Sequence, residues 1–486
     1  MTENPWIRGF SLENLQAAFG RTFVGNYAPV QMISYMFDYE LWGVSPQGFL
    51  FTNLLLHTTA GILLLRLVKR LGASDVGALA AALLFLVHPV QVESVAWVSQ
   101  RKTLLCVVFL LASIHVWRTW RQRGGRGRYW LSVAFFVLSL LSKSLAVILP
   151  FVLMLHDRLL LGMRDRRSLL RPLIPFLAAG FLVGLLALLT QEGYEGGGRT
   201  FWHGSSAWGN FWTMPPVFVR YAGLLLWPTG LSAFYDQPER TGPDWISVGA
   251  LVLIGAVVLL VVRGWRRHPP IGFWGGTAFL GLLPVSQIVP LVTLMNDRYL
   301  YLPLTGIAAL FGLAVERGAR AINVVVRCLS LCIVTGMIVM FAALAHQRVS
   351  VWRDSLALWQ DAAAKEPNST IPWLGMADLH YNAGRYDEAW KYYRHLHTME
   401  VDRNGRDARV GDLMLALAEK EVQEGNLQAA EKTAREALVI VDDGDLRPLR
   451  LLAAIRRKKG DAAAEKGMLE LARRLEEAGG LGNRGF

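Results

Sequence analysis

The stretch WISVGALVLIGAVVLLVV, residues 245–262, decides the class of this chain. It carries no charge, and it is bounded by Asp244 on one side and by Arg263, Arg266 and Arg267 on the other. A helix of that length nearly crosses a hydrocarbon layer of about 30 Å, and a helix satisfies its own backbone polar groups there. Further apolar runs lie near 49–67, 76–90, 103–117, 130–142, 145–160, 172–190, 271–290, 302–315 and 324–345, which gives about ten expected crossings. Hydrophobic residues make up 53% of the 486, more than a soluble surface tolerates.

The net charge of +12 has a topological explanation. Arginine collects in alternate connections, at 66–70, 118–128, 164–171, 263–267 and 317–327, and these belong on the cytoplasmic side. The connections between them are balanced or acidic and face outward. No basic face with interleaved aromatics marks a nucleic-acid partner. The pattern keeps its phase only if 213–229, which holds Pro215, Pro216 and Arg220, lies at the outer interface instead of crossing. Residues 1–47 and the C-terminal region then both lie outside. The start, MTENPWIRGF, has no signal-peptide pattern, so the expectation is that a preceding transmembrane helix has been lost from the start. The three cysteines, Cys106, Cys328 and Cys332, fall inside apolar runs and form no disulfide framework.

From Ile371 the pattern changes to helical hairpins about 34 residues apart, the period of the tetratricopeptide repeat. One copy places Trp373, Gly384, Ala389 and Tyr393; a second, Leu417, Gly425, Ala430 and Ala437; a degraded third runs from Leu449 through Gly460 to Ala472. Ser355 to Pro367 reads as the second helix of a half repeat. The expected division is an outer segment at 1–47, a transmembrane domain at 48–345, a repeat domain at 346–478 and a disordered tail at 479–486.

Chemistry is sought among polar residues at span ends, since burying them is costly. HPVQVESVAWVSQRK (88–102) brings His88, Glu93, Arg101 and Lys102 to an outer turn. LSKSLAVILP (141–150) brings Lys143, and MNDRYLYLP (295–303) brings Asp297, Arg298, Tyr299 and Tyr301. Cations converging on one face can hold a phosphate or pyrophosphate, with a carboxylate as general base. Local ion pairs and interface anchors are the competing reading. His57, in a run of leucines, reads as a hydrogen-bonded interhelical residue. No metal-ligand spacing or glycine-rich nucleotide loop is present; the glycines at 196–198 belong to an outer loop.

At HPVQVESVAWVSQRK, NYAPVQMISYMFDYELWGVSPQGFLFTNLLLH (26–57) and MNDRYLYLPLTG (295–306), the chain resembles the transmembrane-and-tetratricopeptide-repeat O-mannosyltransferases and their bacterial relatives. The resemblance implies an all-α, polytopic bundle of the C-type glycosyltransferase fold, followed by a short tetratricopeptide-repeat solenoid. It implies a multi-pass inner-membrane enzyme that takes a mannose-like sugar from a polyprenyl-phosphate carrier to a protein hydroxyl on the outer face, with the repeats presenting the acceptor. The lipid-linked sugar is the expected donor substrate; a divalent metal is compatible with the resemblance but has no support in the residues. Asp38, Glu93 and Glu3 become the catalytic candidates. His88, Arg101, Lys102, Lys143, Asp297, Arg298 and Tyr299 become the candidates that bind substrate or phosphate. The chain departs from the family at Ala28-Pro29, where bacterial relatives show His-Pro, and at Leu50, where a histidine is common. The family's acidic pair precedes a stretch like TENPWIRGFSLENL, where Glu3 is the remaining acid. A noncatalytic membrane scaffold for envelope proteins is the alternative function.

The topology predicts that a membrane-impermeant thiol reagent labels a Gly242→Cys variant in intact cells, but a Gly124→Cys variant only after permeabilisation. The reverse pattern would invert the arrangement.

Overall fold

The computed structural model describes residues 4–22, 27–191, 202–385, 388–389, 391–392, 395–396, 408–440 and 446–482. It contains two compact units, Met1–Trp352 and Arg353–Phe486, and every regular element among the described residues is helical.

In the first unit, α1 (Leu12–Gly20) and α2 (Pro29–Trp42) precede α3 (Pro46–Arg70), α4 (Asp75–Val87), α5 (Val92–Ala96), α6 (Arg101–Arg123), α7 (Arg126–Ser142) and α8 (Leu149–Leu155). Next come α9 (Arg166–Leu170), α10 (Ile174–Gln191), α11 (Ala207–Leu226), α12 (Trp245–Arg267), α13 (Pro269–Leu282), α14 (Pro303–Ala319) and α15 (Val324–Val351). Five helical segments among the described residues are long and apolar enough to cross a membrane: α3, α6 with the turn before it, α9 to α10, α12 and α15. A sixth is added if the bent pair α4 and 89–96 counts as one. The other expected crossings fall on shorter or broken helices: α7, α8 with the π-turn His156–Leu160, α13 and α14. In the most apolar window of α12 only 11% is buried, and in α15 only 6%, so these two present their sides to lipid.

Side-chain contacts fix the direction of each helix. Asn53 meets Arg101 at the starts of α3 and α6, while Arg70 meets Thr119 at their ends, so the two run parallel. Ser113 meets Ser132, and Ser139 donates to the Cys106 carbonyl at 2.6 Å, so α7 returns antiparallel to α6. Helix α11 runs unbroken through Pro215 and Pro216. Near its start, Asn210 donates to the Gln287 carbonyl; near its end, the Leu225 carbonyl accepts from His88, and Tyr221 meets the Asn296 amide. His88 and Asn296 belong to turns expected at one end, and Gln287 stands near the end of the expected crossing at 271–290 that leads into the second of them. Thus α11 lies across that end of the bundle.

Small residues let the central helices close in. A methyl group on Gly312 of α14 would sit 2.3 Å from the Gly77 carbonyl of α4, and one on Gly306 would sit 2.4 Å from the Trp274 carbonyl of α13. Within lipid, association depends on such close packing because apolar surface alone offers no driving force. His57, as expected, is an interhelical polar residue: its Nδ1 meets the Tyr301 hydroxyl at 2.8 Å and its Nε2 the Leu86 carbonyl at 3.1 Å.

The second unit is an array of hairpins: α16 (Ser355–Lys365), α17 (Thr370–Asn382), α18 (Ala408–Gln423), α19 (Leu427–Ile440), α20 (Arg447–Lys458) and α21 (Ala462–Gly482). Gly384, Gly425 and Gly460 each follow a helix at φ of +70°, +81° and +80°, a left-handed conformation that glycine adopts without strain. Ala389, Ala430 and Ala437 are fully buried, as their repeat positions require; Tyr393 lies outside the described residues. At the tail, α21 continues to Gly482, so 479–482 is helical instead of disordered.

Gly312→Val is expected to lower the unfolding free energy by about 1–3 kcal/mol through overpacking against α4. Gly336→Ala, with open space around it, should be near neutral. Thermal unfolding in detergent compares them, and equal midpoints would refute the close crossing.

Candidate functional site

The turn between α4 and α6 is built from its own sequence. Pro89 disfavours helical geometry at His88, which takes φ −65° and ψ 125° and ends α4. The His88 ring then accepts from the Val90 amide at Nδ1 (3.3 Å) and donates from Nε2 to the Leu225 carbonyl (3.1 Å). Both nitrogens are engaged, and the ring stands edge-on to Phe341 of α15. His88 therefore secures the turn and does not offer a nitrogen to a phosphate.

Glu93, on α5, reaches the short helical turn Asp297–Leu300. One of its oxygens accepts from the Arg298 backbone amide at 2.8 Å and the other from the Arg298 guanidinium at 2.5 Å. Only 1% of Glu93 is exposed. Burial works against the Arg298 charge, but Glu93 and Tyr299 outweigh it and raise the Arg298 pKa. The guanidinium also lies over the rings of Trp97 and Tyr299, 5.3 Å from each centroid. Trp97 in turn stacks on Trp352, the last residue of this unit.

A second buried pair lies beside it. Arg101 has no exposed surface; it ion-pairs with Asp38 at 2.5 Å, donates from Nε to Asn53 Oδ1 at 2.8 Å, and donates to the Phe49 and Ser34 carbonyls at 2.7 and 3.3 Å. Tyr35 lies beneath it, 4.7 Å away. Thr52 donates to the other Asp38 oxygen at 2.7 Å. The expectation that Asp38 and Glu93 stand ready as bases, and that Arg101 faces a headgroup, gives way here: each is committed to an internal partner. Glu3 lies outside the described residues.

Lys102, Lys143 and Arg298 lie close enough for their charges to act on one another. Lys143 follows α7 in extended geometry (φ −160°, ψ 133°) and donates from Nζ to Thr103 Oγ1 at 2.9 Å. Burial and then the charge of Arg298 push Lys143 down to about 8. Lys102 feels the charges of both Lys143 and Arg298. Glu93 is the carboxylate that acts on Lys143, and it already serves Arg298. Like charges held this close favour an anion between them.

Beside the cations, the Tyr235 hydroxyl donates to Asp297, and Arg220 lies over the Tyr235 ring at 4.8 Å. Burial first, then the Asp297 charge, keep the Tyr235 phenol protonated far above its usual range. The Tyr299 hydroxyl pairs with Thr293 Oγ1 at 2.8 Å. Asn53 and Thr103 were missed in the sequence although both are polar residues at span starts; Tyr235 carried no local signal. Gln91 and Ser94 were also missed: the Gln91 amide and the Ser94 hydroxyl are buried without a hydrogen-bond partner among the described residues. Such groups call for a partner from a ligand or water. Among the described residues no group of three or more His, Cys, Asp or Glu is placed to hold a metal.

Arg101→Met should cost on the order of 3–5 kcal/mol by leaving Asp38 buried and unpaired. The double variant Asp38→Asn/Arg101→Met should recover part of that. Calorimetry on the purified protein decides; an Arg101→Met protein of unchanged stability would return Arg101 to the ligand-binding group.

The chain is similar in sequence to known mannosyltransferases. Residues 29–190 match the family model for dolichyl-phosphate-mannose-protein mannosyltransferase. A protein O-mannosyl-transferase of Caenorhabditis elegans is 25% identical over 410 residues, covering 79% of this chain and 55% of its own length. One from Drosophila melanogaster is 32% identical over 242 residues, covering 47% of this chain and 26% of its own length. One from Mus musculus is 25% identical over 447 residues, covering 76% and 57%. The chain thus spans about half the length of the curated relatives it matches along most of its residues. The α4–α6 turn, α2, α3 and Lys143 all lie inside the region matched by the mannosyltransferase family model, and the relatives similar to most of the chain are protein O-mannosyl-transferases.

Proposed function

We propose that the first unit binds a polyprenyl-phosphate-linked sugar at the α4–α6 turn and transfers the sugar, mannose-like by family, to a hydroxyl of an acceptor protein. The convergence of Lys102, Lys143 and Arg298 carries this reading. Lys102 and Lys143 supply point charges to the lipid phosphate, and Arg298, aimed by Glu93, supplies a directed donor. Asp38 and Arg101 tie α2, α3 and α6 together behind the turn.

In the reaction, the acceptor oxygen attacks the anomeric carbon while the bond from that carbon to the phosphate oxygen breaks. The bonding pair leaves with the lipid phosphate, whose new charge the three cations stabilise. The hydroxyl proton passes to a carboxylate, for which Glu3 is the candidate since Asp38 and Glu93 are engaged. The anomeric configuration inverts. The second unit presents the acceptor. The site faces the periplasm or another non-cytoplasmic space.

A noncatalytic scaffold is the second reading, favoured by the ion-paired state of both described acids. Transfer of radiolabelled mannose from polyprenyl-phosphate mannose to acceptor protein separates the two. Lys143→Ala should weaken donor binding about 10- to 100-fold, the worth of a charge-assisted hydrogen bond. Glu3→Gln should stop turnover while sparing donor binding. A wild-type protein that neither binds nor transfers from lipid-linked sugars would leave the scaffold.

A further inference from the structure

The opposite end of the bundle holds a second cationic centre. Lys102 and Arg118 lie on the same helix, 16 residues apart in α6, which separates the two ends by about 24 Å. There a cavity of about 620 Å³ opens between α3 and α6, lined by Arg66, Lys69, Arg70 and His115 and walled by Val116 and Phe135.

The polar side of the cavity is organised. His115 Nε2 contacts the Leu63 carbonyl at 2.9 Å and must donate to it, so its Nδ1 is left to accept from Arg70 at 3.3 Å. Arg70 also donates to Thr119 Oγ1 at 3.1 Å, and Arg118 donates to the Arg70 carbonyl at 2.8 Å. The charges of Arg70, Arg66 and Arg118 all act on His115, and Arg70 and Arg118 act on each other. Against these cations stands Asp75, itself exposed and paired with Lys69 at 2.5 Å. Arg66 has no carboxylate partner among the described residues. The remaining wall is apolar, and Phe135 stacks on Phe109.

A cavity basic at its rim and apolar along its side, at the end of helices that cross a bilayer, matches one chemistry: a phosphodiester headgroup with an acyl chain beneath it. We infer that this cavity is a binding site for an anionic phospholipid of the leaflet opposite the sugar-transfer site. The headgroup phosphate sits among Arg66, Lys69 and Arg70, and one acyl chain follows Val116 and Phe135. The lipid answers the repulsion between the arginines. It holds the ends of α3 and α6 together, whose starts carry Asn53, Arg101 and Lys102.

Native mass spectrometry of the full chain, released from micelles doped with equal phosphatidylglycerol and phosphatidylcholine, tests this. The wild type should retain phosphatidylglycerol over phosphatidylcholine by on the order of tenfold or more, at about fivefold per basic contact. Arg66→Gln/Lys69→Gln should abolish the preference; both side chains are exposed, so the variant is expected to fold. Arg263→Gln/Arg266→Gln removes two charges outside the cavity and should keep it. Equal retention of the two lipids by the wild type overturns the site, as does an equal loss in both double variants, which indicates diffuse surface attraction. Full displacement of the lipid by millimolar inorganic phosphate indicates a free-anion site and also overturns it. None of these outcomes depends on sugar transfer.

Discussion

A buried carboxylate, Glu93, holds both the main chain and the side chain of a residue 205 positions away, Arg298. This contact joins the turn after α4 to the turn before α14. Without it, Arg298 would have no reason to enter the bundle, since a guanidinium away from water is costly unless its charge and donors are met. With Glu93 meeting them, the Arg298 charge is held where it acts on both Lys102 and Lys143. The neighbouring pair, Asp38 with Arg101, solves the same problem for α2, α3 and α6. The two pairs divide the labour: one ties helices together, the other aims a cation.

The fold was legible because lipid imposes a simple grammar. Uncharged runs such as 245–262 and the alternation of arginine-rich connections gave the helical bundle, and charge phase together with Pro215, Pro216 and Arg220 set 213–229 apart from the crossings, where the helix Ala207–Leu226 lies. Glycines 384, 425 and 460 marked the hairpins because only a left-handed turn needs them there. Span number was less legible: α7, α13 and α14 are short or bent, and hydropathy does not report where a helix breaks. Glu93 meets Arg298 across the turns 88–102 and 295–303, and the Arg298 charge reaches Lys143 in the turn 141–150.

Individual roles were harder to read. A charged residue in sequence does not reveal whether its partner is a substrate or another side chain 63 positions away, as Asp38 is to Arg101. His88 looked like a ligand because it sits in a polar turn, yet Pro89 makes it a cap. Tyr235 could not be found at all, since its importance depends on Asp297 arriving from a distant turn. What sets Lys102, Lys143 and Arg298 apart is that their charges act on one another, a nearness that no single stretch of sequence shows.

The most direct test of the account is photocrosslinking with a diazirine-bearing polyprenyl phosphate, followed by peptide mapping of the intact protein. Adducts should concentrate in peptides spanning 88–102, 141–150 and 295–303 and be competed by unlabelled polyprenyl phosphate. Competable adducts confined to 63–70 and 112–119, or none at the three turns, would contradict the assignment of the lipid phosphate to the Lys102, Lys143 and Arg298 cluster.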